Sequence, residues 1–269
     1  MFSLVLTCTE REAETLSAEL WEKGAAGIEE TTLPGGRCQL RAYFENPEGL
    51  AEAFASFHPR REPVPDIDWE SAWRQAWPAF PVGKRLYLAP EWDESPTPPG
   101  RLRLIIHPGQ ALGTGAHPAT RLCLEVLDSR LQPDQTVLDV GTGSGILASA
   151  ALLLGARAVA ACDIDFDSLL VARRNLLSDG LRAALLCGSA RAVRARAFDV
   201  VVANINAATH ASLAGEYARL APSTLILGGF PDRDAPELES LMRRHGFLVA
   251  AALESEEWRC LVLCSAARS

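Results

Sequence analysis

The chain is predicted to have an α/β fold in its C-terminal two thirds, preceded by a smaller α+β unit. From about residue 101 onward, nearly continuous apolar segments alternate with amphipathic ones, which is typical of a parallel sheet covered by helices on both faces. The first 62 residues mix strand and helix patterns in a short span. With 269 residues, 48% of them hydrophobic, the chain can bury a sizeable core in each of two domains.

The N-terminal unit is predicted to span residues 1–62. Its segments are a strand, an amphipathic helix, two short extended stretches and a second helix, namely FSLVLTC, REAETLSAELWEKG, GIEE, CQLRAYF and PEGLAEAFASF. The prolines and charges of HPRREPVPD then break the periodicity. We therefore predict a linker over residues 63–100.

The linker carries a stripe of tryptophans. Trp69, Trp73 and Trp77 recur every four residues and would lie on one face of a helix. Such a stripe is more often a packing seam than a ligand-binding surface, and a seam between two domains would serve both interpretations. A proline-rich loop, EWDESPTPPG, follows, and the second domain is predicted to start near Arg101.

The second domain, over residues 101–269, alternates strands and helices. After RLRLIIH, the predicted strands are QTVLDV, AVAACDID, AALLCGS, FDVVVANI, STLILGG, LVAAALESEE and WRCLVLCSA. The predicted helices are Ser144–Leu154, SLLVARRNLLSDG, ATHASLAGEYARLA and PELESLMRRHGF. Because only a short turn separates the last two strands, they should add an antiparallel pair to the parallel sheet.

Composition excludes several classes of protein. The formal charge of −8 argues against a broad grip on nucleic acid and favours a basic partner. The seven cysteines are scattered without a CxxC pair, which indicates reduced thiols and no metal site. No apolar run reaches the roughly 20 residues that span a bilayer, and the N-terminus lacks the pattern of a signal peptide, so we expect a cytoplasmic protein that does not bind membranes.

A glycine-rich turn follows the first strand of the second domain. Gly141, Gly143 and Gly145 in VLDVGTGSGILA allow a sharp turn and close approach of a ligand, and the following helix offers unpaired N–H groups. The dinucleotide fingerprint GxGxxG would need a small residue where Ile146 stands, which speaks against NAD. The GxGxG spacing is similar to the first motif of class I methyltransferases.

Polar residues end the next strands at the edge where ligands of open α/β sheets bind. Asp163 is the predicted ligand of a ribose, because a carboxylate accepts two hydroxyl hydrogen bonds, whereas Asp165 is the better candidate for a helix cap. Asn204 and Asn206 follow the fourth strand, where the alternative is a simple turn role.

A second glycine-rich loop lies upstream of the sheet. Residues Gly113 to Gly115 precede His117 and Thr120 in GTGAHPATRLCLE, and the alternative is an ordinary loop before a helix. His117 is a candidate proton relay, while bracing of the loop by its imidazole is the favoured alternative.

Taken in order, these motifs resemble the ribosomal protein L11 methyltransferase family (PrmA), from about Asp68 to the terminal EEW. The resemblance implies a class I methyltransferase (Rossmann-like) fold with a seven-stranded sheet, S-adenosylmethionine as cofactor, and an N-terminal domain that recognises the ribosomal protein. Thr120, Gly141, Asp163 and Asn204 match the family's cofactor contacts. The departures include Ala116, Ala119, NINA and GGFPDRDAPEL, and they lie close to where the acceptor should enter. Gly188 and Ser189 supply no carboxylate for the adenine amino group, so that contact is left unassigned.

The expected activity is transfer of methyl groups to lysine side chains, or to the N-terminal α-amine, of ribosomal protein L11. Asn204 is predicted to position the acceptor, with the loop from Thr114 to Thr120 closing over the cofactor. Alternatives are methylation of another protein, such as electron-transfer flavoprotein, and a catalytically inactive nucleotide-binding homologue. We expect a monomer, because substrate capture by a hinged N-terminal domain needs no symmetric partner.

Overall fold

The structure of the chain is a computed structural model that describes residues 2–44, 50–63, 77–107, 117–195 and 197–265. It divides into two compact units, Met1–Gln75 and Ala76–Ser269. Trp69, Trp73 and the segment from Gly113 to Ala116 lie outside the described residues, so the tryptophan stripe and the closing loop stay predictions. Within the described ranges, no helix is long and apolar enough to cross a membrane.

The first unit is a four-stranded antiparallel sheet with helices, in agreement with the predicted α+β pattern. Its strands pair in the order β2-β3-β1-β4. This is the split β-α-β arrangement, in which the two outer crossovers are helical. The elements are β1 (Phe2–Thr9), α1 (Glu10–Glu22), β2 (Gly27–Leu33), β3 (Arg37–Phe44), α2 (Leu50–Ala53) and β4 (Arg60–Pro63).

Alternation along the strands builds the core of this unit. In β3 every second residue is buried, and Leu40 and Phe44 pack with Leu4 and Leu6 of β1 and with Leu16 of α1. The period of two therefore directs one face of the sheet to the helices.

The second unit begins earlier than predicted. Residues 77–100, assigned to the linker from sequence, contribute two strands to a three-stranded sheet of order β5-β6-β7. These strands are β5 (Phe80–Val82), β6 (Leu86–Pro90) and β7 (Leu102–Ile106). Val82 and Leu86 are buried in the same core as the helices of this unit. The linker boundary at residue 100, and with it a domain start at Arg101, is therefore wrong.

A buried carboxylate explains why so short a hairpin is held in place. Asp128 accepts hydrogen bonds from the backbone N–H groups of Lys84 (2.7 Å) and Arg85 (2.9 Å) in the β5–β6 turn, and also pairs with the Arg85 side chain. A Cβ atom on Gly83 would lie 2.4 Å from Asp128 Oδ2, so the turn has room only for glycine. The hairpin depends on a helix more than 40 residues further along the chain, which no local pattern could indicate.

The main sheet has seven strands in the order β10-β9-β8-β11-β12-β14-β13, as the family resemblance implied. The first five are parallel, and β14 pairs antiparallel with both β12 and β13, as predicted for the last two strands. The strands are β8 (Thr136–Val140), β9 (Ala158–Asp163), β10 (Ala184–Cys187), β11 (Val200–Asn204), β12 (Thr224–Pro231), β13 (Phe247–Ser255) and β14 (Trp258–Ser265). Strand order reverses at β8, where a crevice for ligands forms.

Helices cover both faces of this sheet. Val137 of β8 belongs to the core on one side and the adjacent Leu138 to the core on the other, so this strand is buried on both faces. The helices are α3 (Pro118–Arg130), α4 (Ile146–Leu153), α5 (Phe166–Ser178), α6 (Ala207–Leu220) and α7 (Ala235–Arg244). None of the seven cysteines, all of which lie among the described residues, forms a disulfide, and Cys260 is buried in β14.

Candidate functional site

The glycine-rich turn connects β8 to α4 at the point where strand order reverses. Gly141, Gly143 and Gly145 have φ angles of 73°, 53° and 86°, a region that residues with a side chain rarely adopt. A Cβ atom on Gly141 would lie 2.5 Å from Cγ2 of Ile205. Glycine is thus required both for the backbone conformation and for the close approach of the loop that follows β11.

Asp163 lies at the end of β9, beside this turn. Its Oδ2 atom accepts a hydrogen bond from the backbone N–H of Gly143 at 3.0 Å, and Oδ1 accepts one from Asp165 N–H at 3.0 Å. Each oxygen keeps a second lone pair for a ligand hydroxyl. Asp165 caps α5 by accepting from the N–H groups of Asp167 and Ser168, as predicted.

Two exposed apolar side chains follow Asp163, and sequence reasoning did not single them out. Ile164 is 80% exposed and Phe166 is 60% exposed. Two exposed apolar side chains this close together form a surface that a ligand or partner can cover. Their position directly after a carboxylate at a strand end is the signal that could have revealed them.

Asn204 and Thr120, both predicted site residues, are brought together by the fold. The Asn204 side chain donates from Nδ2 to the Thr120 hydroxyl at 3.0 Å, although the residues are 84 positions apart. Thr120 is buried near the start of α3, and Asn204 is half-buried at the end of β11. Since Nδ2 is engaged by Thr120, the carbonyl oxygen of Asn204 is the atom suited to accept from an incoming N–H group.

Asn206, in contrast, serves the helix that follows. Its Oδ1 atom accepts from the Thr209 backbone N–H and hydroxyl, both at 2.9 Å, and so caps α6. The turn alternative considered from sequence therefore describes Asn206 better than a site role does.

His117 has the contacts of a bracing residue. Its Nδ1 atom accepts from the Ala119 backbone N–H at 3.2 Å and caps α3. The ring packs edge-to-face on Trp258, with centroids 4.5 Å apart. A proton-relay role stays a prediction, and only Nε2 could serve it.

Asp139 is a titratable residue inside the buried strand β8, and sequence reasoning missed it. Its Oδ2 atom accepts from the Thr142 hydroxyl at 2.7 Å, while Oδ1 has no hydrogen-bond partner among the described residues. Burial raises the pKa of Asp139 to about 7. A single carboxylate in the apolar run VLDV was the available signal.

These features fit S-adenosylmethionine, which carries a ribose, an adenine, an ammonium group and a positively charged sulfur. The unpartnered oxygen of Asp139 beneath the glycine turn suits a cationic ligand, and Asp163 suits ribose hydroxyls. Because a Cβ atom on Gly141 would clash with Ile205, backbone atoms and not side chains line the turn at this position. Within the described ranges, no cluster of three or more His, Cys, Asp or Glu side chains could hold a metal ion.

Comparison with known proteins agrees with this geometry. The profile of the family described as "Ribosomal protein L11 methyltransferase (PrmA)" matches residues 37–265. The match begins inside the first unit, earlier than the resemblance from Asp68 found by motifs alone.

Relatives and a solved structure carry the same description. A ribosomal protein L11 methyltransferase of Geobacter sulfurreducens is 40% identical over 256 residues, covering 88% of this chain and 83% of the relative. One of Myxococcus xanthus is 32% identical over 276 residues, covering 95% and 96%. The crystal structure of ribosomal protein L11 methylase from Lactobacillus delbrueckii subsp. bulgaricus aligns with a TM-score of 0.65 at 28% identity, covering 70% of this chain and 99% of that one.

The family profile spans most of the chain, and the sheet order and glycine turn are those of a class I methyltransferase. The chain therefore belongs to the ribosomal protein L11 methyltransferase (PrmA) family and is an S-adenosylmethionine-dependent methyltransferase.

Proposed function

We propose that this enzyme methylates amino groups of ribosomal protein L11, on lysine side chains and on the N-terminal α-amine. The relatives described above are named for this substrate. The observation that carries the proposal is the Asn204–Thr120 hydrogen bond, which presents a carbonyl oxygen beside the glycine turn without placing a strong acid or base there. Methylation of an amine needs such a site, because the attacking nitrogen must be held in line and kept neutral.

The cofactor supplies a methyl group that its positive sulfur already activates. In the proposed site the turn from Gly141 to Gly145 would hold the methionine part, and Asp163 would bind the ribose hydroxyls. Ile164 and Phe166 offer an apolar surface for the adenine ring. Asp139 contributes negative charge beneath the turn.

For the acceptor, the main task of the protein is to orient an amine and exclude water. The Asn204 carbonyl oxygen would accept a hydrogen bond from the neutral amine and so orient the lone pair of the amine nitrogen for attack. A lysine must first lose its proton, and desolvation and the positive charge of the cofactor both lower its pKa. His117 braces the entrance of this site through Ala119 and Trp258.

The first unit is proposed to recognise the protein substrate, and residues 64–76 to connect it to the catalytic unit. The net charge of −8 suits a basic ribosomal protein. We propose that the enzyme acts as a monomer and without binding nucleic acid directly. Its location in the cytoplasm would follow from a ribosomal substrate.

Intact-protein mass spectrometry of purified ribosomal protein L11, incubated with the enzyme and S-adenosylmethionine, tests the proposal. We expect mass increments of whole methyl groups, which disappear with Asp163→Ala. The matched control is Asp165→Ala, which removes a helix cap two residues away and should retain activity. Calorimetric titration of both variants with S-adenosylhomocysteine should show an affinity loss of about 10- to 100-fold for Asp163→Ala alone, as expected for hydrogen bonds to a charged group.

If the native enzyme binds the cofactor but adds no methyl group to ribosomal protein L11, the proposed acceptor is wrong. Peptide mapping of the modified protein would distinguish lysine side chains from the N-terminal amine. Modification confined to other side-chain types would contradict the proposed chemistry.

A further inference from the structure

His107, directly after β7, holds its imidazole between two carboxylates. Its Nδ1 lies 2.8 Å from Oε2 of Glu91, and its Nε2 lies 2.8 Å from Oδ1 of Asp179. The His107 side chain is 10% exposed and that of Asp179 is 8% exposed. Since ionised carboxylates only accept hydrogen bonds, both ring nitrogens must donate, and only the imidazolium can do so.

The surroundings stabilise this charged form. The hydrogen bond to Asp179, followed by that to Glu91, raises the pKa of His107 despite the opposing effect of burial. Glu91 follows β6 and Asp179 follows α5, so the imidazolium joins three separate segments of the second unit. We call His107, Glu91 and Asp179 the carboxylate clamp.

The clamp is coupled to the glycine turn by a buried asparagine. In the last turn of α5, the carbonyl of Asn175 accepts from the backbone N–H of Asp179 at 3.1 Å. The buried side chain of Asn175 donates to the carbonyl of Ser144, within the glycine turn, at 2.9 Å. The chain of contacts thus runs from His107 through Asp179 and Asn175 to Ser144.

A small cavity shows how close the clamp lies to the turn. It measures about 10 Å³ and is lined by Ile105, His107, Ser144, Ile146, Ser149, Asn175 and Asp179. This volume is about the space that one water molecule requires, far below what a cofactor needs. His107 therefore acts on the cofactor site through the protein and not by contact with the cofactor.

We propose that His107 is a positioning residue for cofactor binding. As an imidazolium, it draws the C-terminal end of α5 against β7 and so fixes, through Asn175, the position of Ser144 in the glycine turn. His107 takes no part in the proposed methyl transfer itself. The proposal depends on cofactor binding alone and stands whichever protein is the acceptor.

The proposal makes cofactor affinity depend on pH. When pH rises through the raised pKa of His107, the neutral ring can donate only one hydrogen bond, so one carboxylate loses its partner. Affinity should therefore fall at high pH. Glu91 and Asp179 are the charged groups that face the ring, and the other residues lining the cavity carry no charge. Asp139 also titrates near neutral pH, but it does so in every variant below, so comparison between variants isolates His107.

The test is calorimetric titration with S-adenosylhomocysteine from pH 6 to pH 9. For His107→Gln and Asp179→Asn we expect dissociation constants about tenfold higher than in the native enzyme at pH 6, as for loss of a charge-assisted hydrogen bond. The native affinity should approach that of His107→Gln as pH rises. The matched control is His245→Gln, at the exposed end of α7, which should keep the native affinity and pH profile.

Thermal unfolding of the same variants without cofactor separates positioning from stability. If His107→Gln and Asp179→Asn lower the midpoint of thermal unfolding but bind S-adenosylhomocysteine within twofold of the native affinity at every pH, the clamp only stabilises the fold and the proposal is wrong. Should these variants fail to fold, Glu91→Gln provides the test. It removes the more exposed partner, 54% exposed, and should weaken binding several-fold at pH 6 without unfolding the protein.

Discussion

Acid destabilisation through His210 is the prediction that the structure supports most directly. This side chain is fully buried in α6, where Nε2 donates to the Gly228 carbonyl at 2.8 Å and Nδ1 accepts from the Tyr217 hydroxyl at 3.1 Å. The bond from Tyr217 needs the neutral ring, because a protonated Nδ1 cannot accept, whereas Nε2 can donate to Gly228 in either form. Burial outweighs the hydrogen bond to Gly228 and lowers the pKa of His210 to about 4. In the unfolded chain His210 has its ordinary pKa of about 6.5, so below this pH it binds a proton that it does not bind in the native protein.

The direction and the magnitude of the pH effect on stability follow from the difference between the folded and unfolded pKa values of His210. Because the folded pKa is depressed, stability is fully present above pH 6.5 and is lost as pH falls towards 4. A difference of about 2.5 pKa units corresponds to about 3 kcal/mol in full, and to about 2 kcal/mol between pH 8 and pH 5.

Urea unfolding at pH 8 and pH 5 measures the effect. The loss of unfolding free energy between these pH values should be about 2 kcal/mol smaller in His210→Gln than in the native protein. His107 and Asp139 also titrate, but they are common to both proteins and cancel in the difference. His245→Gln, at an exposed position, should behave as the native protein. Equal losses in His210→Gln and the native protein, within about 0.5 kcal/mol, would show that His210 does not cause the acid destabilisation.

Three further predictions concern the cofactor site and its support. Gly141→Ala should abolish cofactor binding, because its Cβ meets Ile205 at 2.5 Å. Gly180→Ala, at a similar φ of 71° but in open space, carries only the cost of the positive φ and should still bind the cofactor in calorimetry. At pH 7 the native protein should release about half a proton for each S-adenosylmethionine bound, because the cation favours the ionised form of Asp139, whose pKa is about 7. Asp139→Asn should eliminate this release, which is measured from binding enthalpies in buffers of different ionisation enthalpy. Equal release in both proteins would contradict the pKa of about 7. Asp128→Asn should lower the free energy of unfolding in urea by about 3 kcal/mol, because the amide cannot accept from both backbone N–H groups of the β5–β6 turn. Glu125→Gln, on the same helix, should change this free energy little. A loss below about 1 kcal/mol for Asp128→Asn would contradict the role of Asp128 in holding the turn.

Parts of the site could be predicted because they depend on short stretches of chain. A strand followed by GTGSG predicts the β8–α4 turn, since the positive φ angles that it needs are properties of single glycines. Asp165 was identified as a helix cap from its distance to the next apolar-periodic segment. The order of the motifs along the chain was enough to indicate the family.

Other parts were wrong or missed because their cause lies far away in sequence. The strands β5 and β6 were assigned to a linker, because strands of three and five residues among prolines show little periodic pattern. The turn that joins them is held in place by Asp128, which lies more than 40 residues away in sequence. The exposure of Ile164 and the unpartnered oxygen of Asp139 are properties of packing, which composition does not reveal.

Neighbouring residues along the chain are sufficient to predict the class of the fold, the position of the glycine turn and the residue types suited to a nucleoside cofactor. Periodicity and backbone freedom are local, so they can be derived from neighbouring residues. The hydrogen bond between Thr120 and Asn204, and the pairing of His107 with Glu91 and Asp179, become visible only in the folded protein. These contacts join segments that meet only when the sheet assembles, and the charge of a buried group depends on the neighbours that the assembled sheet brings to it.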